Sequence, residues 1–403
     1  MKKILVSFFS VLALCSSLLS QVDNQTIAEI LIFGQAKTKE EVIRRALNLK
    51  KGQPYDPNIL EKKKKELLDL KIFSVVEIEA RQTEKGVSLW IFVKEKSPFF
   101  FEQISDYRNE IYNHFLGLRA GFKNLWGKNQ QLWLSGTVGN LKKWELGYEN
   151  KYQVQFFWGL NLGESWSKNG FYDFKEKRLT GKIFLGRKIS FFRVQFWANY
   201  EKIAIELESS YDKGPKKLFK VGLDISYNRK DEEIFPSKGL FGQIALYRAF
   251  DQKAKFIYDR YHLEISSFFN LWKRNVLALN FKTSLTGGNA PLFERLYFGG
   301  LKTLRGLAIW TYSGNCFIVF SSEYRIPVSS ERKPLENKAP GTVLYLFSDI
   351  GSLTERKEDF RLKEFKANCG LGFFWAPIEA SKLRIDLSVL PKIKIVVSSD
   401  WKF

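Results

Sequence analysis

Cysteine and histidine are scarce in this chain of 403 residues, numbering three and two, and their positions exclude the chemistry they usually carry. Cys15 lies in the N-terminal segment. Cys316 and Cys369 are too few for a disulfide framework and fit no metal-ligand spacing, so each reads as a small packing residue. His114 and His262 are remote from cysteine or carboxylate clusters and read as structural, which leaves neither a metal nor a cofactor to be expected. The chain has no P-loop and no nucleophile elbow, and no pair of carboxylates falls in a recognisable cleft; it reads as a non-enzyme. After Ser20 no apolar run is long enough to cross a membrane as a helix.

Aromatic residues are plentiful: 36 Phe, 16 Tyr and 11 Trp, scattered through the chain instead of gathered in runs. Scattered aromatics suit lipid-facing strands and interfacial belts, where apolarity alternates with polar positions. The formal charge of +21 implies attraction to anionic surfaces, here anionic lipid head groups. Met1-Lys2-Lys3, an apolar run from Ile4 to Leu14 and the small residues that follow read as a signal peptide over residues 1–20, cleaved near Ser17 to Ser20. Leu14 is a poor match to the small residue that precedes a lipoprotein cysteine. Secretion, and the lack of any recognition motif, disfavour nucleic acid as a partner.

Residues 21–97 read as one small α/β domain. A strand from Thr26 to Phe33 precedes a helix that the Thr38-x-x-Glu41 pattern would cap, with Val42, Ile43, Ala46 and Leu47 on one face. Asp56-Pro57 then opens a second helix, in which Leu60, Leu67 and Leu68 pack while the Lys62 to Lys65 run faces water, a partner or lipid. Alternating residues around Val76 and Leu89 complete the order β-α-α-β-β. Such a sheet, covered by helices on one face, leaves edge strands exposed.

Residues 98–403 change texture. Strand-like segments alternate with Gly, Asn, Lys and Pro turns, beginning at Phe115 to Phe122 and ending at Ile393 to Phe403. Counting Phe191 to Tyr200 and Ile203 to Ser209 separately, they total about sixteen. In lipid a sheet of such strands must close, because an open edge leaves backbone groups unpaired. The expected fold is a transmembrane antiparallel β-barrel preceded by the small domain.

Leu296 to Pro327 organises the rest. Gly299-Gly300 permits positive φ, and Leu304-Arg305-Gly306-Leu307 places a cation between apolar residues and a glycine. Such a setting favours burial, and a buried guanidinium needs a carboxylate of matching geometry. Glu323, on the alternating strand that starts at Cys316, and Asp349, on the next, are the candidates.

These residues resemble the outer-membrane assembly and secretion barrels of the BamA/TamA-like bacterial surface antigen family. In that family an inward-folded surface loop, here 286–315, carries a Val-Arg-Gly-Phe/Tyr signature; Arg305-Gly306 matches its centre, while Leu304 and Leu307 depart from its flanks. The resemblance implies that Arg305 lies inside the barrel and pairs with Asp349, Glu323 or both. Phe235-Pro236-Ser237-Lys238-Gly239 is similar to the family's turn before the ninth strand, and Trp401 and Phe403 to its C-terminal assembly signal. Ala46 to Tyr55 and Leu70 to Val76 resemble a POTRA domain, lacking that module's usual glycine between Leu70 and Phe73. Implied are an outer-membrane location with a periplasmic POTRA domain, and insertion or translocation of polypeptides by a strand-templating seam. The clients would be unfolded or nascent outer-membrane or secreted proteins, with periplasmic chaperones or accessory lipoproteins as further partners. The alternative is a passive channel or structural barrel with a docking domain. A lumen plugged by the Arg305 loop favours the first reading and an open, constricted lumen the second.

Overall fold

The computed structural model describes residues 25–104, 115–139, 141–169, 171–172, 174–206, 215–232, 235–252, 255–308, 311–328, 341–378, 381–389 and 393–398. The expected signal peptide over 1–20, His114, Trp401 and Phe403 lie outside the described residues. The chain divides into two units, the first ending at Pro98 and the second beginning at Phe99, with 124–129 grouped with the first.

The first unit runs β1 (Ile27–Phe33), α1 (Glu40–Leu47), a 3-10 turn at Pro57–Ile59, α2 (Leu60–Leu68), β2 (Phe73–Thr83) and β3 (Gly86–Glu95). Strand β3 is central, parallel to β1 and antiparallel to β2, so β1 and β2 are both edges. Alternation along β3 buries Val87, Leu89, Ile91 and Val93, and α1 contributes Val42, Ile43, Ala46 and Leu47 to the same interior. Each fully buried aliphatic side chain of this kind stabilises by about 1.5–3 kcal/mol. In α2 only Leu67 is buried; Leu68, expected to pack, is exposed because the helix ends there.

The helix starts differ from the local pattern in one case. Asp56 accepts a hydrogen bond from the Asn58 N–H at 2.9 Å, with Pro57 at the first helical position. Thr38, however, does not cap α1. Lys39 occupies the N-cap without a side-chain bond, and the N–H groups of Ala36, Lys37 and Thr38 donate to the carboxylate of Glu95 at 2.7–3.1 Å. A tertiary carboxylate has replaced the local cap. Burial raises the Glu95 carboxyl, but the Thr38 side chain and these three N–H donors outweigh it and hold the group below the ordinary carboxylate range. Its stabilising effect is therefore present at neutral pH and fades as pH falls through the depressed folded value. Protection against hydrogen exchange at residues 36–38, relative to the intrinsic rate at each pH, should fall as pH drops through the depressed Glu95 value, and Glu95→Gln should abolish that dependence.

Lys71 has φ 60° and sits two residues before Phe73, where the resembled module usually has glycine. A left-handed lysine costs about 1 kcal/mol, of which glycine would return part as unfolded-chain entropy. Lys71→Gly should thus stabilise by about 0.5 kcal/mol, seen as slower hydrogen exchange across residues 67–73.

The second unit is one sixteen-stranded antiparallel sheet, formed by β4 (Phe99–Ile104), β5 (Phe115–Leu125), β6 (Gln130–Gly139), β7 (Lys142–Asn150), β8 (Phe156–Asn169), β9 (Phe174–Ile189), β10 (Phe192–Glu206), β11 (Lys216–Asn228), β12 (Gly239–Asp251), β13 (Ile257–Asn270), β14 (Val276–Gly288), β17 (Cys316–Pro327), β18 (Thr342–Thr354), β19 (Lys366–Ile378), β20 (Ser381–Ser388) and β21 (Lys394–Ser398). Between β14 and β17 lies a separate two-stranded hairpin, β15 (Leu296–Phe298) and β16 (Tyr312–Gly314). Strands are hydrogen-bonded in sequence order from β4 to β21.

The count of sixteen conceals two compensating corrections. The first strand is β4, not the segment at Phe115; aromatic side chains at Phe99, Phe100 and Phe101 on both faces hide its period. The segments Phe191 to Tyr200 and Ile203 to Ser209 fall, as far as Glu206, on the single long β10, whose burial alternates through the supposed break at Glu201-Lys202.

Side-chain direction is unambiguous. On β14 burial alternates without a break from Val276 to Thr286, and on β18 Val343, Tyr345, Phe347 and Asp349 are buried while Leu344, Leu346 and Ile350 are exposed. Polar and charged residues on the inner face, with Leu, Ile and Phe outside, are the inverse of a soluble protein and match a barrel in lipid.

Candidate functional site

The segment that follows β14 runs from Asn289 to Asn315 and turns into the barrel. Gly299 and Gly300 have φ 123° and 88°, and a Cβ at Gly299 would lie 2.0 Å from the Ala308 carbonyl oxygen. Only glycine tolerates that turn. The Leu307 N–H donates to the Leu304 carbonyl at 3.1 Å, closing a tight turn with Arg305 and Gly306 at its centre. Leu304 packs with Leu296, Phe298, Phe317 and Val319, while Leu307 and Leu353 cover that cluster. Apolar flanks thus anchor the loop to the wall, and Arg305 is presented to the lumen with none of its side chain in solvent.

The structure brings Arg305, Glu323 and Asp349 together. Arg305 donates to Asp349 through Nε at 2.8 Å and through its terminal nitrogen at 2.7 Å, a two-pronged pairing. Its other terminal nitrogen donates to Glu323 at 2.7 Å. The guanidinium carbon stands 3.7 Å from the centre of the Phe347 ring, adding a cation–π contact.

Four residues that the sequence reading did not single out complete the cluster. Arg384 on β20 donates to Glu323 at 2.9 Å and to Asp386 at 2.7 Å, and Arg325 donates to Glu323 at 2.9 Å. Tyr345 donates its hydroxyl to Asp386 at 2.8 Å. The cluster holds three guanidiniums and three carboxylates, all essentially solvent-free. Burial at this cost is tolerated only where every charge is balanced. The i, i+2 spacings Glu323/Arg325 and Arg384/Asp386 on alternating strands were the available signal, since both members of each pair face one side.

Lys394, on β21, donates to the Leu307 carbonyl at 2.5 Å, so the last described strand also touches the loop turn.

A second ionic cluster of opposite polarity holds the beginning of the loop. Glu294, buried, accepts from Arg178 of β9 at 2.8 Å, from Lys220 of β11 at 3.0 Å and from the Tyr258 hydroxyl of β13 at 2.7 Å, while Arg260 donates to its backbone carbonyl. Glu201 of β10 shares Arg178 and Lys220, at 2.6 and 3.0 Å. Further along, Asn169 donates to the Tyr297 hydroxyl at 2.6 Å, and the Tyr172 and Ser313 hydroxyls are 3.1 Å apart. The loop therefore crosses the lumen from the β9–β13 wall to the β17–β20 wall. Nothing in the local sequence marked Glu294, because its partners come from three distant strands.

The turn at Phe235 meets the same site from below. Phe235 is buried with Val343, Tyr345, Phe347 and Phe374, so Phe347 belongs to this aromatic cluster and also faces Arg305. Asp231 accepts from the Ser237 hydroxyl at 2.5 Å and from the Ser237 N–H at 2.9 Å, and burial notwithstanding these bonds keep its carboxyl below the usual range. Pro236 is buried within the turn. Gly239, φ 118°, opens β12, the ninth strand of the sheet; a Cβ there would lie 2.2 Å from the Arg229 carbonyl oxygen.

Among the described residues, no group of three His, Cys, Asp or Glu could hold a metal ion. Cys316 is buried and Cys369 exposed.

A sixteen-stranded antiparallel membrane barrel sheet with an ion-locked internal loop, following a βααββ domain, defines the class. Residues 124–389 match the Omp85 superfamily domain, and residues 25–96 match the POTRA family model described as the surface antigen variable number repeat. The chain belongs to the Omp85 superfamily; it is an outer-membrane barrel whose POTRA domain lies in the periplasm. It is 24% identical to the outer membrane protein assembly factor BamA of Neisseria meningitidis serogroup B, over 82% of this chain and 47% of that protein, so it spans about half the length of that relative. Among solved structures, BamA from Haemophilus ducreyi lacking POTRA domains 1–3 has a TM-score of 0.68 at 16% identity, covering 92% of this chain and 84% of that one. CdiB from Acinetobacter baumannii has a TM-score of 0.62 at 15% identity, covering 94% and 72%.

Proposed function

We propose that this protein is a non-enzymatic outer-membrane insertase or translocase for polypeptides, which assembles β-barrel proteins or exports a protein client. The observation that carries the reading is the lumen: a loop locked to both walls occupies it, in contrast to the open, constricted lumen of a channel. In this reading the work is conformational. The sheet ends at β4 and β21. A seam that parts between these strands offers unpaired N–H and C=O groups to an incoming strand. Glu323, Asp349 and Arg305 form the loop lock, and Lys394 together with Arg384 ties that lock to the strands beside the seam.

Residues 21–97 are the docking module in this scheme, after removal of residues 1–20 as a signal peptide, and 98–403 the barrel. Both β1 and β2 offer an edge to an extended client segment, a chaperone or an accessory lipoprotein. Single cysteines along each edge, in a chain with its native cysteines replaced, should trap a client or partner in membranes from at least one edge. Cross-linking that traps nothing from either edge would remove the docking role.

A further inference from the structure

Among the described residues, outward-facing lysines gather on β8 to β11. Parity fixes which residues face out: on β11 Lys220 reaches Glu294 inside, so Lys217, Phe219 and Val221 point outward and are exposed. Glu201 of β10 and Arg178 of β9 also point inward, which turns Lys202 and Lys175 outward; Asn169 of β8 reaches Tyr297, which turns out Lys168. All four lysines lie toward the strand ends remote from the start of β4, where the chain enters the barrel from the periplasmic domain. They therefore belong to the half of the barrel in the outer leaflet.

Register then places like charges in direct opposition. Lys168 of β8 pairs with Lys175 of β9, and Lys202 of β10 pairs with Lys217 of β11. Directly opposed residues have Cβ atoms about 5 Å apart, and like charges so placed are destabilising. Glu206 lies opposite Lys175 on its other side, Lys177 is paired with Glu164 at 2.9 Å and Lys168 has an interaction of its own, so the net positive charge of the band rests on Lys202 and Lys217. Two residue pairs below Lys202 and Lys217, at the next outward position, Tyr200 and Phe219 are directly opposed with ring centres 5.0 Å apart, and Phe250 stacks on Phe219 at 5.9 Å. An aromatic row under a cationic row marks the level of lipid head groups. The corresponding outward positions on β14, β17, β18 and β19 are Leu285, Ile318, Phe320, Ile350, Ala367 and Cys369, without a charge.

We infer that the β10–β11 face binds phosphorylated glycolipid of the outer leaflet, the opposed Lys202 and Lys217 clasping a phosphate. One phosphate accepts from two ammonium groups at once, which converts the repulsion within the pair into a shared site. The acyl chains would lie along the aromatic row and the exposed aliphatics beneath it.

The test compares the full chain with K202Q/K217Q and K202R/K217R, after heat-modifiable migration has shown each to be a folded barrel. Native mass spectrometry reads the lipid retained from nanodiscs containing bisphosphorylated lipid A, dephosphorylated lipid A or phosphatidylglycerol. Wild type and the arginine variant should retain lipid A, and the glutamine variant should lower its retention about tenfold or more. Dephosphorylated lipid A and phosphatidylglycerol should be retained weakly by all. Equal retention of lipid A by wild type and the glutamine variant would overturn the inference. So would retention of either comparison lipid as strongly as lipid A, or protection of these lysines from acetylation by a co-purifying protein in place of lipid.

Discussion

Arg305→Ala should release the loop from the β17–β20 wall and leave the barrel destabilised by about 3–5 kcal/mol, the range for removing one partner of a buried charge cluster. The mutation removes the cation that bridges Glu323 and Asp349, and Asp349 loses its two-pronged guanidinium donor. Arg305→Lys restores the charge without the planar fork, so it should recover part of the loss. Lys302→Ala, outside the ion cluster, should have a small effect. A cysteine placed at Lys302 reports the loop directly: labelling by a membrane-impermeant maleimide should be slow in the Arg305 protein and fast with Arg305→Ala. Equal labelling rates would show that the guanidinium does not hold the loop.

Glu294→Ala is expected to have the second-largest effect, through the opposite wall. Without this carboxylate, Arg178 and Lys220 share only Glu201 and Glu176, and the Tyr258 hydroxyl loses its acceptor. Removing a buried counter-ion again costs about 3–5 kcal/mol. The temperature at which the barrel loses its compact electrophoretic form should fall, and proteolysis should appear near residues 289–298 before it appears at the Arg305 turn. Glu294→Gln keeps an acceptor for Tyr258 and should be intermediate. The two locks act on different walls, so Arg305→Ala with Glu294→Ala should fall below either alone; an unchanged double variant would mean that only one clamp is in force.

The sequence made the barrel legible because alternation is enforced wherever one face meets lipid. Its errors have the same origin. Phe99-Phe100-Phe101 presents aromatics to both faces and carries no period, so β4 was invisible, and the charged step at Glu201-Lys202 looked like a turn although one residue faces the lumen and the other the head groups. Helix α1 was found from its buried face, but its cap was misassigned to Thr38 because Glu95, fifty-seven residues away, supplies the acceptor. Of the lock, Arg305, Glu323 and Asp349 could be named from motif and strand order. Arg325, Arg384 and Asp386 sit in ordinary strand positions, and Glu294 depends on partners brought in by β9, β11 and β13. Long-range register, which no local pattern contains, decides those contacts.

Client insertion by the reconstituted protein tests the central claim most directly. Proteoliposomes carrying matched, folded amounts of wild type, Arg305→Ala and Arg305→Lys would receive an unfolded outer-membrane protein, and its protease-protected, folded fraction would be followed in time. If the locked loop serves insertion, Arg305→Ala should slow it by an order of magnitude or more, for a loss above about 1.4 kcal/mol, and Arg305→Lys should fall between. Equal insertion by all three proteins would contradict the account, even with the Arg305, Glu323 and Asp349 contacts in place.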